Sequence, residues 1–223
     1  MKVTTYFGNS WLGLFLKTNE EITLVPVDTP PKVMGAIEAY LKTSIIKTNL
    51  GDSNLLGLYC AINSNGIILP NITNEKEMEF LRQNLKQTSL NIYHSPAIHN
   101  AHGNNILVND NGGLINTNIG SHEQKKMEDA LGVELLPAKI ANYLTVGSAC
   151  LANNKGWLSH FNTREEEAKL LEQMLKVKGG IGSLNMGAGF VGLAAIANNK
   201  GYLAGEASSG FELGKLEEVM GFL

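Results

Sequence analysis

Cys60 and Cys150 are the residues whose chemistry would matter most, because a thiolate is a strong nucleophile once a neighbouring base or cation lowers its pKa. His94, His99 and His102 stand in Tyr93-His94-Ser95-Pro96-Ala97-Ile98-His99-Asn100-Ala101-His102, dense enough in imidazole to raise the question of zinc. Gly187-Ala188-Gly189-Phe190-Val191-Gly192 spells G-x-G-x-x-G, the phosphate-cradling fingerprint of dinucleotide folds. Each has to be judged by the element that carries it.

Those elements repeat. Turn quartets recur as Thr18-Asn19-Glu20-Glu21, Asn63-Ser64-Asn65-Gly66, Asp110-Asn111-Gly112-Gly113, Asn153-Asn154-Lys155-Gly156 and Asn198-Asn199-Lys200-Gly201, their last residues 45, 47, 43 and 45 positions apart. Seven or eight residues beyond each stands a helix-start residue: Thr29, Thr73 or Asn74, Ser121, Thr163, Ser209. Asn and Gly supply the positive φ of hairpin turns, so each quartet joins two antiparallel strands. Thr163-Arg164-Glu165-Glu166, Ser121-His122-Glu123-Gln124 and Ser209-Gly210-Phe211-Glu212 read as capping boxes. One-sided apolar stripes follow: Val33, Ile37 and Leu41; Met78, Leu81 and Leu85; Met127, Ala130 and Leu131; Ala168, Leu171, Met174 and Leu175; Leu213, Leu216 and Met220. A further extended stretch, such as Ser44-Ile45-Ile46-Lys47, completes a β-β-α-β unit. Repeats of this period bury their apolar faces only against neighbours, and closure into a ring removes raw sheet edges. The fold class is therefore α/β, a five-fold pseudo-symmetric closed β/α-propeller in one domain, 1–223, with units at 6–50, 51–100, 101–140, 141–186 and 187–223. Residues 1–6 would close the ring by pairing with the fifth unit.

This frame disposes of most of the reactive candidates. Both cysteines lie six residues before a turn glycine, where the other units carry Phe15, Leu107 and Ala195, so the position reads as a buried strand slot filled by size. The glycine run leads into a strand, Phe190 to Ala197, rather than opening a helix, which removes the dinucleotide reading. No second cluster completes a zinc site around the histidines, which read as a polar loop; His122 and His160 read as surface residues. No cofactor or metal is expected. Charged residues are 17% and the net charge is −3, so no broad basic surface is present to hold DNA or RNA by counterion release. Two cysteines without a paired framework, and no apolar run near membrane-spanning length, point to a cytoplasmic protein without a membrane partner.

Phe7-Gly8-Asn9, Gly66-Ile67-Ile68-Leu69-Pro70-Asn71, Gly103-Asn104 with Asn109-Asp110, Val146-Gly147-Ser148 with Asn154-Lys155-Gly156, and Asn185-Met186-Gly187 occur in an order that resembles the translation initiation factor 6 family of pentein-type propellers over the whole chain. The resemblance implies a monomer that binds the intersubunit face of the large ribosomal subunit and sterically prevents joining of the small one, without catalysis. The chain stops at Leu223 without a regulatory tail and so looks like an archaeal member. Other pentein relatives hydrolyse guanidino compounds with a Cys nucleophile near the axis, which makes such a hydrolase the alternative. The segments leading into each unit are the candidate ribosome contacts: Asn9, Asp52, Asn54, Asn104, Asn142, Asn185 and Gly187. The asparagine side chains among them both donate and accept hydrogen bonds. The resemblance favours Asn104 and Asn185 among them. Docking on a ribosomal protein surface is expected, with at most a few rRNA contacts from turn lysines such as Lys155 or Lys200.

Overall fold

A computed structural model describes residues 2–223; Met1, assigned above to the ring-closing segment, lies outside them. The strands are β1 (Val3–Thr4), β2 (Lys17–Thr18), β3 (Ile22–Val25), β4 (Ser44–Lys47), β5 (Ala61–Ile62), β6 (Gly66–Leu69), β7 (Asn91–His94), β8 (Ile106–Val108), β9 (Gly113–Asn116), β10 (Leu135–Ala138), β11 (Cys150–Ala152), β12 (Trp157–His160), β13 (Gly179–Gly182), β14 (Ala195–Ala197) and β15 (Tyr202–Gly205). Among the described residues they form five separate three-stranded sheets, β2-β3-β4, β5-β6-β7, β8-β9-β10, β11-β12-β13 and β14-β15-β1, and no single closed barrel. In each, an antiparallel hairpin is extended by a parallel strand, as when Ile22 to Val25 pairs with Ser44 to Lys47. The fifth sheet takes that parallel strand from the other end of the chain, Val3 pairing with Ala204 and Thr4 with Gly205, as the sequence predicts. Glu217 secures the latch by accepting from Lys2 Nζ at 2.8 Å and Tyr202 OH at 2.9 Å.

The central strand of every sheet is buried on both faces, which explains the nearly continuous apolar runs Ile22-Thr23-Leu24-Val25 and Gly66-Ile67-Ile68-Leu69. One face is covered by the unit's long helix: α2 (Pro31–Ala36, continued by a π-helical turn Ile37–Leu41), α4 (Glu75–Asn84), α6 (Ser121–Leu131), α8 (Glu165–Leu175) and α10 (Gly210–Val219). Their predicted stripes are the buried ones, with Val33, Ile37, Leu41, Leu81, Met127, Leu131, Leu171, Leu175 and Leu216 fully out of solvent.

Toward the axis, where the sequence predicts a strand from Phe190 to Ala197 and a leading segment at Gly103-Asn104, each unit adds a single helical turn. These are α1 (Leu12–Phe15), α3 (Leu56–Tyr59), α5 (His102–Asn105), α7 (Val146–Ala149) and α9 (Val191–Ala194). Four residues are too few to show helical periodicity. What dictates them is glycine at the second position. A Cβ on Gly13 would collide with the carbonyl of Gly192, on Gly57 with Gly13, on Gly103 with Gly57, on Gly147 with Gly103 and on Gly192 with Gly147. The five helices thus meet backbone to backbone in a closed circle.

The helix ends correct the frame by one residue. The N-caps are Pro30, Asn74, Gly120, Arg164 and Ser209, so Asn74 and Ser209 cap through their side chains as read, whereas Ser121 and Thr163 do not. Thr163 is turned inward onto Ser159 at 2.7 Å, and Glu167, not Glu166, reaches back to the Arg164 N–H at 2.8 Å. The cysteines shift likewise. Cys60 and Cys150 follow their axial helices and donate N–H to Leu56 and Val146, as Leu16, Ile106 and Ala195 do in the other units. Phe15 and Leu107 were each one residue out of register, but the slot is apolar and buried all the same.

Candidate docking face

The ring has two unlike ends, because β3, β6, β9, β12 and β15 all run from the Asn turns toward the loops that lead into the units. At the turn end Asn19, Asn63, Asn109, Asn153 and Asn198 are buried and joined head to tail. Each Nδ2 donates to the next one's backbone carbonyl: Asn19 to Asn63 at 2.9 Å, Asn63 to Asn109 at 3.2 Å, Asn109 to Asn153 at 3.1 Å, Asn153 to Asn198 at 3.0 Å and Asn198 to Asn19 at 3.2 Å. Each Oδ1 meanwhile accepts two N–H groups of its own turn, for Asn153 those of Lys155 at 2.9 Å and Gly156 at 2.8 Å. The repeating residue is therefore the first Asn of the turn, and the first and third quartets above were each set one residue off. The axial cavity between these turns holds about 30 Å³, room for a water or two rather than a substrate.

At the opposite end tight turns lead into four of the units, closed by Tyr6 with Asn9, Leu50 with Ser53, Ile140 with Tyr143 and Leu184 with Ala188. Six of the eight non-glycine residues with positive φ among the described residues sit here: Phe7, Asp52, Ala141, Asn142, Asn185 and Met186. Such backbone costs on the order of 1 kcal/mol per residue and persists where the surroundings enforce it. Helix N-terminal glutamates enforce it in the second, fourth and fifth units. Glu77 accepts from Gly51 N at 2.7 Å and Asp52 N at 3.0 Å, Glu167 from Ala141 N at 3.1 Å, and Glu212 from Gly187 N at 2.8 Å. Burial alone would raise the Glu212 pKa, but hydrogen bonds from Ser209, Gly187 and Ser183 outweigh it and hold the carboxyl below its ordinary value. The third unit departs from the pattern: Glu123 accepts instead from Tyr93 OH at 2.9 Å and Ser95 Oγ at 2.6 Å.

Asn9, Asp52, Asn142 and Gly187 are exposed at this end, while Asn54 is half-buried beside the Tyr6 hydroxyl. Asn9 Oδ1 accepts from Trp11 N at 2.8 Å, and Asn142 Oδ1 accepts from Arg164. Asn185 is engaged internally, donating to Ser10 O at 2.9 Å across the seam between the last and first units and accepting from Ser208 Oγ at 3.2 Å. Asn104 lies on α5 with its Oδ1 buried and unpartnered. Lys155 and Lys200 belong to the turn end, where Lys200 Nζ is held by the carbonyls of Glu20 at 2.6 Å and Lys42 at 3.2 Å. A surface docked on the leading loops does not include them.

Two properties missed in the sequence separate the ends. Of the eleven exposed large apolar side chains among the described residues, eight stand at the leading end, including Phe7, Ile98, Phe161, Met186 and Phe211. The segments that build this end (6–11, 26–33, 47–55, 70–77, 95–101, 117–123, 139–145, 161–167, 183–190 and 206–212) hold ten carboxylates and five cations, Lys32, Lys47, Lys76, Lys139 and Arg164. The turn end instead carries Lys42, Lys86, Lys155, Lys176, Lys178 and Lys200 among Glu20, Glu21, Asp110 and Glu134. Neither is visible until the chain is folded, because the residues are scattered over short segments of several units.

The reactive candidates take structural places. Burial pushes the Cys60 thiol up to about 12 and raises that of Cys150, the opposite of an activated nucleophile. His160, read as a surface residue, is buried, accepting Asn162 N on Nδ1 at 3.0 Å; His122, His94 and His99 are exposed. His102 is the anomaly. It fills the core slot that Leu12, Leu56, Val146 and Val191 fill elsewhere, both ring nitrogens lack a partner, and burial lowers its pKa from 6.5 to about 4 despite Glu123 nearby. Because the unfolded chain binds the proton first, stability falls as pH drops from 6.5 toward 4, by up to about 3 kcal/mol from this group. His102→Leu is expected to stabilise the ring at pH 7 and to flatten that acid limb in urea titrations. Equal acid sensitivity in both proteins would contradict this.

A ring of five β/α units, its axis closed by glycine and asparagine contacts and one end carrying clamped, partly apolar loops, defines a five-fold β/α propeller. A family model described as the eIF-6 family matches residues 1–219. The chain belongs to this family. It is 36% identical over 216 residues to translation initiation factor 6 of Saccharolobus islandicus, covering 96% of each chain. It is 32% identical over 222 residues to that of Picrophilus torridus, covering 99% of each, and 34% identical over 220 residues to that of Thermococcus onnurineus, covering 97% of this chain and 96% of that one. Among the described residues, no helix is long and apolar enough to cross a membrane.

Proposed function

We propose that this protein is a translation factor that binds the intersubunit face of the large ribosomal subunit through its leading end and obstructs the small subunit as a rigid body. It acts as a monomer in the cytoplasm, without catalysis. The observation that carries this is the gathering of exposed apolar side chains and strained, glutamate-clamped turns at one end of the ring. Rigid, partly apolar surface with a polar rim is what a specific protein interface needs. Asn9, Asp52, Asn142 and Gly187 fall on this surface, with Asn54 at its edge. Asn185 braces it from beneath through its bonds to Ser10 and Ser208.

The excess of carboxylates here favours a protein partner over RNA phosphate. A binder making six to ten phosphate contacts loses roughly 10³ to 10⁵ in affinity between 50 and 200 mM salt. The purified protein is expected to co-sediment with isolated large subunits and not with small ones, with a much shallower salt dependence. Co-sedimentation with small subunits, or a phosphate-type salt slope, would overturn the docking mode.

A further inference from the structure

The seam between the fourth and fifth units carries an aromatic cluster with no counterpart at the other seams among the described residues. His160 lies 4.4 Å from Phe161 and 5.4 Å from Tyr143, centroid to centroid, and Phe190 packs on Tyr143 at 4.8 Å. The inner members are fixed. His160 is buried and Gly189 is pressed against its ring, where a Cβ would collide with the imidazole. The outer members are open: Tyr143 and Phe161 keep 41% and 45% of their surface in solvent. Two aromatic rings are thus braced from beneath by neighbouring rings and partly presented outward, so they have less rotamer freedom to lose on binding than isolated surface side chains.

The charge around them is set by the whole leading end, with its ten carboxylates against five cations. The nearest cation is already taken, Arg164 being held by Asn142 and by Glu166 at 3.5 Å. Asp52 and Glu206 are exposed, and among the described residues no side-chain partner holds either. Phosphate would meet net repulsion here. A guanidinium or ammonium would meet attraction twice, from the π faces at short range and from the carboxylate field at longer range.

Resting on the large-subunit reading above, we infer that the Tyr143–Phe161 pair is the anchor of the docking face, and that its occupant is an Arg- or Lys-bearing segment of a basic protein of the large subunit. The cationic side chain stacks on the aromatic faces while the carboxylate rim steers the approach. The anchor fixes residence time and the rim fixes the association rate.

The test measures binding of the full chain to isolated large subunits by surface-immobilised kinetics, with thermal melting as the folding control. Tyr143→Ala with Phe161→Ala is expected to weaken binding by roughly 30-fold, chiefly through faster dissociation. Asp52→Lys with Glu206→Lys is expected to slow association, more at low salt than at high, whereas Lys155→Glu with Lys200→Glu leaves both rates near wild type. Crosslinking from a photoreactive phenylalanine at position 161 is expected to capture a basic ribosomal protein. Wild-type protein that does not bind large subunits would overturn the large-subunit reading itself. Wild-type binding with an undiminished aromatic variant, or a crosslink to rRNA, would leave that reading standing and overturn the anchor.

Discussion

Gly57→Ala is expected to prevent the ring from closing, or to destabilise it by on the order of 3 kcal/mol or more. The new Cβ would fall inside the contact distance of two backbone carbonyls, those of Gly13 and Leu16. Backbone on both sides of the contact cannot rotate away as a side chain can. The five axial helices form a closed circle, so separating α1 from α3 also forces the remaining contacts apart. Gly214→Ala is the control. It lies inside α10 with nothing within 4 Å of an added Cβ, so it is expected to leave stability unchanged or raise it by about 0.5 kcal/mol. Urea unfolding of the two variants reads the difference. Equal stability would mean that the axial contact is soft.

Asn109→Ala is expected to cost about 3 to 5 kcal/mol, with a lowered urea midpoint and an unchanged far-ultraviolet spectrum of whatever remains folded. One buried side chain makes four hydrogen bonds here. It accepts from Asn111 N at 2.9 Å and Gly112 N at 3.2 Å, and donates to Asn153 O at 3.1 Å and Leu175 O at 2.9 Å. At about 1 kcal/mol for each bond lost, and more for buried groups left without a partner, the sum far exceeds an ordinary surface truncation. Asn65→Ala, which removes one bond to Leu131 O at 3.0 Å, is expected to cost about 1 kcal/mol by the same reckoning. Similar losses in both would show that the five-membered asparagine ring is no more than a set of independent turns.

Periodicity made the five units, their long helices and the strand borrowed from the N-terminus legible, because amphipathic stripes and Asn-Gly turns are local signals. The axial helices were not legible, since one turn of helix has no period and the reason for it, glycine against a neighbour's carbonyl, lies about one repeat away in the chain. The same holds for the Asn turns. Their hairpin role is local, whereas the side-chain ring that repeats them is closed only by bonds such as Asn198 to Asn19. Asn185 and Asn104 stood out by motif, yet one spans a seam and the other turns its Oδ1 inward. The apolar and acidic character of the leading end was spread over ten short segments. No window of sequence contains it.

Subunit joining tests the central proposal most directly. Purified large and small subunits are mixed at a magnesium concentration that favours joined ribosomes, and the mixture is resolved on sucrose gradients with increasing amounts of this protein. The expected result is a saturable shift from joined ribosomes to free subunits, complete near stoichiometry with the large subunit and with the protein found only in the large-subunit fractions. Joined ribosomes that persist at saturating protein, or that carry the protein with them, would contradict it.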